Sequence, residues 1–151
     1  MLHNENLKKR RTLDRSEVNP VLNKQLDKIG PYCYFIFRVI IGALFFMAGS
    51  TKVFGWFGGT PMPIPFGSLF WFAGAIEVVV GTLLVLGLLT RYASTVAAIE
   101  MVFAWFIGHA PQGWNPITNM GMPAVLFFAA FLALVAKGTG VWGLDKKFGL
   151  K

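Results

Sequence analysis

Residues 71–91, WFAGAIEVVVGTLLVLGLLTR, constrain this chain more than any other stretch. Between its ends every residue but one is apolar or small, and the exception is Glu77. Crossing a bilayer takes about 20 apolar residues, so the run is long enough to span one. An ionisable side chain inside the membrane costs at least about 2.5–3.5 kcal/mol on insertion scales. Glu77 therefore requires a partner or a proton.

Three further apolar segments accompany it. The four lie near residues 32–54, 66–89, 93–110 and 121–137, and 55% of the 151 residues are hydrophobic. In lipid every backbone polar group must be satisfied within its own element, so runs of this length read as helices. The period-two alternation of a barrel strand is missing. The expected fold is an all-α, polytopic membrane protein built as a four-transmembrane-helix bundle. Its expected organisation is a basic arm over residues 1–30, the membrane domain over 31–145 and a short tail over 146–151.

The formal net charge of +7 reads as topology, not as nucleic-acid binding. Lys8, Lys9, Arg10, Arg11, Arg15, Lys24 and Lys28 precede the first segment, Arg91 separates the second from the third, and Lys137, Lys146, Lys147 and Lys151 follow the fourth. Residues 55–66 and 111–120 carry no charge. With four spans, all of these cations fall on one side, which the positive-inside rule makes cytoplasmic. The expected location is the cytoplasmic (inner) membrane, with multiple passes and both termini inside. The arm then suits anionic headgroups.

The remaining charges lie within the apolar segments and follow helical spacing. Arg38, Gly42, Phe45, Gly49 and Lys52 fall on one stripe of the first helix. Phe70, Gly74, Glu77, Gly81 and Leu84 do so on the second, and Ala93, Ala97, Glu100 and Ala104 on the third. Small residues let helices approach closely in membranes, so these stripes and their charges face the bundle interior. Ala129, Ala133 and Ala136 offer small residues on the fourth helix, without a charge, and complete the wall. At about 1.5 Å per residue, Arg38 and Glu100 lie roughly 10 Å from the cytoplasmic boundary and Glu77 about 20 Å, with Lys52 and His109 near the outer surface. The pairs expected are Arg38 with Glu100, and Glu77 with Lys52 or with Arg38. The outer connections are rich in aromatic residues, as an interfacial belt requires. Alternatively they form a lid, with His109, Asn115 and Asn119 at the mouth.

One cysteine, Cys33, excludes an internal disulfide or a thiolate metal cluster. Two histidines, His3 and His109, without a metal-ligand spacing, point to no metal held by protein ligands. No nucleotide or flavin fingerprint is present. Any redox chemistry must therefore use a diffusible carrier such as a quinone, or a partner's cofactor.

The motifs R-x3-G-x6-G-x2-K (residues 38–52) and E-x3-G-x5-G-x2-TR (residues 77–91), followed by Ala93, His109 and Asn119-Met120-Gly121, resemble the DoxX family of small four-helix membrane proteins. The similarity runs over about residues 35–145. The family takes its name from association with thiosulfate:quinone oxidoreductases, so the resemblance implies a membrane subunit supporting quinone-linked oxidation of thiosulfate or a related small reductant. In that reading Glu77 is the proton donor and Arg38 and Lys52 tune it. Trp71 and Trp105 flank the quinone, and Glu100 and His109 complete the binding site. Partners would be the bilayer, a redox subunit and a second copy in a homo-oligomer. The alternatives are a non-enzymatic scaffold that recruits a partner, or a pathway for protons or small solutes, for which four short helices are a small vehicle unless the protein oligomerises.

Overall fold

A computed structural model describes residues 20–149, with side chains from residue 23. The basic residues before Pro20 and after Gly149 lie outside this range. The described chain is helical, with no strand among the described residues. Helix α1 spans Pro20–Val53, α2 Leu69–Leu86, α3 Thr90–Phe103 and α4 Met122–Lys137, and a single turn, α5, covers Leu144–Lys147. Two compact units divide between Cys33 and Tyr34, within α1.

Helix α1 starts twelve residues before the position expected from hydropathy alone. The polar residues ahead of Tyr32 are mostly good helix formers, and Pro20 stands at the first position, where its missing N–H costs nothing. Helix α2 starts at a conventional cap: the Ser68 hydroxyl oxygen accepts from the Trp71 N–H at 3.2 Å. It stops at Gly87, whose φ of 65° places it in the left-handed region. Helix α3 opens into a wider π-type turn over Ala104–His109 and closes with a 3-10 turn over Ala110–Gln112. Three segments, 23–53, 69–86 and 90–112, are long and apolar enough to cross a membrane, and α4 is apolar but only 16 residues long.

Glycines set the spacing between α1 and α2. A Cβ on Gly49 would lie 2.5 Å from the Gly74 carbonyl oxygen, and one on Gly81 would lie 2.5 Å from the Phe46 nitrogen. The two helices therefore touch backbone to backbone in an antiparallel register, as small-residue stripes allow. Any side chain at these positions would force them apart.

Aromatic rings fill the other side of α1. Phe45 meets Phe131 edge-on at 4.8 Å between centroids and Phe127 at 5.4 Å. Leu84, Ala97, Met101 and Leu134 complete the core around them. On α4, which completes the wall, Ala129, Ala133 and Ala136 are exposed, and Ala124, Phe131 and Leu134 are buried. The outer faces are apolar too, with Ile36, Ile40 and Leu44 on α1 and Val96, Ile99 and Phe103 on α3 all exposed. An apolar exterior around buried charge is the arrangement a lipid solvent selects.

Candidate functional site

The buried charges separate into two groups at opposite ends of α1. The first is centred on Arg38, which is wholly buried. Its Nη1 donates to the carbonyl of Leu84 and, at 3.1 Å, to that of Val85. These carbonyls belong to the last turn of α2, where helices leave acceptors unsatisfied and the dipole favours a cation. The guanidinium carbon also stands 5.4 Å from the centroid of the Phe35 ring. Gly87 makes the approach possible, since a Cβ there would lie 2.6 Å from Arg38 Nη1.

The segment after α4 locks this end. Tyr34 donates its hydroxyl to the Gly138 carbonyl at 2.6 Å, and Lys137 stands over the Tyr34 ring. Thr139 donates to the Gly87 carbonyl at 3.0 Å, and the Asp145 N–H donates to the same oxygen at 2.9 Å. The Asp145 carboxylate accepts from the backbone N–H groups of Leu89 at 2.5 Å and Thr90 at 3.0 Å. Leu89 offers α3 no side-chain cap of its own. Asp145 supplies it from 55 residues away, which is why α3 starts at Thr90, three residues before its expected start. No motif or spacing in the sequence assigns Asp145 a role. Its signal is faint: a lone acid among the basic residues that follow the last long helix.

The second group lies near the far end of α1. Lys52 Nζ donates to both carboxylate oxygens of Glu77 at 2.6 Å. The lysine is 26% exposed and the glutamate 5%, so the pair opens toward Lys52. Glu100 on α3 lies within electrostatic reach of both. Both of its carboxylate oxygens are buried, and neither has a hydrogen-bond partner among the described residues.

This geometry corrects the expected pairing of Arg38 with Glu100 and selects Lys52 for Glu77 over Arg38. Fourteen residues of helix, about 21 Å, separate Arg38 from Lys52 along α1. Antiparallel packing sets Arg38 beside the end of α2, whereas Glu100, ten residues into α3, falls on the side of Lys52.

The aromatic and histidine candidates stand apart from one another. Trp71, half-buried in the first turn of α2, packs on Phe66 at 4.6 Å and Phe72 at 5.4 Å. Trp105 sits in the π-type turn with His109 and Trp114 each at 6.5 Å. The His109 Nδ1 lies 3.0 Å from the Asn119 carbonyl oxygen. Asn119 is buried; its side-chain N–H groups donate to the carbonyls of His109 and Gly113, and its Oδ1 accepts from the Gly121 N–H. His109 and Asn119 thus clasp the connection between α3 and α4, which gives them structural work at the mouth.

Two apolar grooves mark the surface. One of about 460 Å³ runs between α2 and α3, lined by Phe72, Ile76, Val79, Leu83, Tyr92 and Val96 among others. Its volume falls within the range of small-molecule sites. A second, of about 240 Å³, lies between α3 and α4 and includes Trp105 and Phe106. Lys52, Glu77 and Glu100 line neither. Among the described residues no three His, Cys, Asp or Glu side chains are grouped as metal ligands would be.

A profile of the DoxX family matches residues 33–110. Two uncharacterized proteins of Haemophilus influenzae (strain Rd) are similar to the chain. One is 34% identical over 132 residues, covering 82% of this chain and 96% of its own length. The other is 29% identical over 119 residues, covering 73% of this chain and 79% of its own. No solved structure matches.

Proposed function

The chain belongs to the DoxX family of membrane proteins, and from that premise we propose that it is a membrane-embedded subunit supporting quinone-linked oxidoreduction. The observation that carries this reading is the Lys52–Glu77 ion pair with Glu100 beside it, inside an otherwise apolar bundle. Ionisable groups held at that cost inside a membrane mark proton or ligand pathways by default. Reducing a quinone to a quinol takes two electrons and two protons. A thiosulfate donor would release the electrons as two molecules couple to tetrathionate, and the protons must reach the ring through apolar surroundings.

In this reading Glu77 and Glu100 carry protons towards the quinone, and Lys52 holds Glu77 in place. The groove between α2 and α3 suits the quinone's apolar tail, with Trp71 at one end of α2. Trp105 and His109 stand at the same end of the bundle, where α3 finishes. Arg38, already engaged with the end of α2, acts as a positioning residue. The chain would sit in the cytoplasmic membrane with both termini inside, beside a redox partner or a second copy.

The test uses purified full-length protein. Its lipid extract is analysed for quinone, and reduction of an added short-chain quinone by thiosulfate is followed in wild type and Glu77→Gln. Bound quinone and turnover that falls at least tenfold in the variant support the reading. A folded protein with neither overturns it. A second reading, a non-enzymatic scaffold, is favoured by the outward alanines of α4, a face on which another helix packs closely. Copurification of a partner that is lost on Ala133→Leu, with no turnover at all, selects it.

A further inference from the structure

The Lys52 cluster does not balance its own charge. It contains two carboxylates and one ammonium, and the ammonium is committed to both oxygens of Glu77 at 2.6 Å. Glu100 is left with two buried oxygens and no donor among the described residues. A buried carboxylate without a hydrogen bond or counter-charge is among the costliest groups a protein interior can hold.

The neighbouring elements offer no second cation. Helix α2 presents Glu77, and Lys52 comes from the last turn of α1. Helix α4 packs along α3, but its one charged residue, Lys137, lies at its far end over Tyr34. Further along its own chain, His109 is turned to the Asn119 carbonyl. Arg38 is about 21 Å from Lys52 along α1 and bound to the end of α2. Among the described residues no side chain meets the remaining charge.

We infer that the cluster is a binding site for a single proton, held on Glu100 while Glu77 stays ionised against Lys52. The ion pair opens toward Lys52, 26% exposed against 5% for Glu77, so the proton exchanges with the aqueous face at that end of the bundle. The inference deepens the proposed redox role, since it concerns the same residues, but it does not depend on quinone. It makes a counting rule: the protons held equal the acids minus the bases in the cluster.

Infrared spectroscopy of the full-length protein in lipid nanodiscs, without quinone and at neutral pH, reads this count. A protonated carboxyl gives a carbonyl stretch, shifted in heavy water, that an ionised one lacks. Wild type should show one such group. Glu100→Gln should show none. Glu77→Gln should also show none, because Glu100 then ionises to pair with Lys52. Lys52→Met should double the signal. A wild type with no such band, a band that persists in Glu100→Gln, or a Lys52→Met spectrum identical to wild type overturns the inference. The Glu77 and Lys52 variants move the count in opposite directions, so the rule is tested even if Glu100→Gln fails to fold. The absence of quinone turnover would leave the count standing, and a failed count would leave turnover unexplained but intact.

Discussion

The two ends of α1 handle a buried cation in different ways. At one end Arg38 meets backbone: the carbonyls of Leu84 and Val85 accept from it, and Asp145 lies within electrostatic reach while capping α3. At the other end Lys52 meets a side chain, and a second carboxylate has no hydrogen-bond partner among the described residues. A charge matched to fixed helix dipoles has one stable arrangement. A charge shared among titratable groups can gain or lose a proton without moving a helix. In the proposed reading the first region holds the fold and the second changes state.

Substitutions sharpen or break this contrast. The largest effect belongs to Arg38→Ala, which removes the guanidinium donor from the Leu84 and Val85 carbonyls and leaves a cavity beside Gly87. It should cost about 3–5 kcal/mol, seen as loss of monodisperse protein or a large fall in thermal stability in detergent. Near-wild-type stability would deny the Arg38 end its structural role. Lys52→Met should cost less, about 2 kcal/mol, because the freed carboxylate takes up a proton instead of remaining a bare charge. A loss as deep as that of Arg38→Ala would show that both ends are equally structural.

Asp145→Ala removes the cap of α3 and should cost about 1–2 kcal/mol. Hydrogen exchange should reveal it as faster exchange at the first turn of α3, with α2 unchanged away from Gly87. Glu100→Gln should have the smallest effect on stability, within about 0.5 kcal/mol, since nothing among the described residues donates to that carboxylate. The contrast is sharpest if this same variant loses turnover or proton binding. Full activity there would remove Glu100 from the functional site.

Much of the second region is legible in the residues themselves. Glu77 in an apolar run demands a partner, and Lys52 stands on a glycine stripe facing the same interior. The glycines announce the contact between α1 and α2, because few other residues permit backbones to touch. The partner of Arg38 is not legible, since a carbonyl at the end of a helix is present in every helix and leaves no mark in the residues. Asp145 is hidden for a related reason: it caps a helix 55 residues earlier in the chain, beyond any local spacing rule. The outward turn of Ala129, Ala133 and Ala136 follows from α4 presenting Phe127 and Phe131 to Phe45, a choice of face that the residues of α4 alone do not mark.

Hydropathy and the spacing of glycines and charges, taken alone, determined an all-helical membrane protein with its charges inside. Lipid leaves a chain of this composition no other way to satisfy its backbone. Only the tertiary structure decided which charge meets which. Pairing depends on the antiparallel register of α1 and α2, and α3 joins them with its first N–H groups capped by Asp145, a residue from beyond the last long helix.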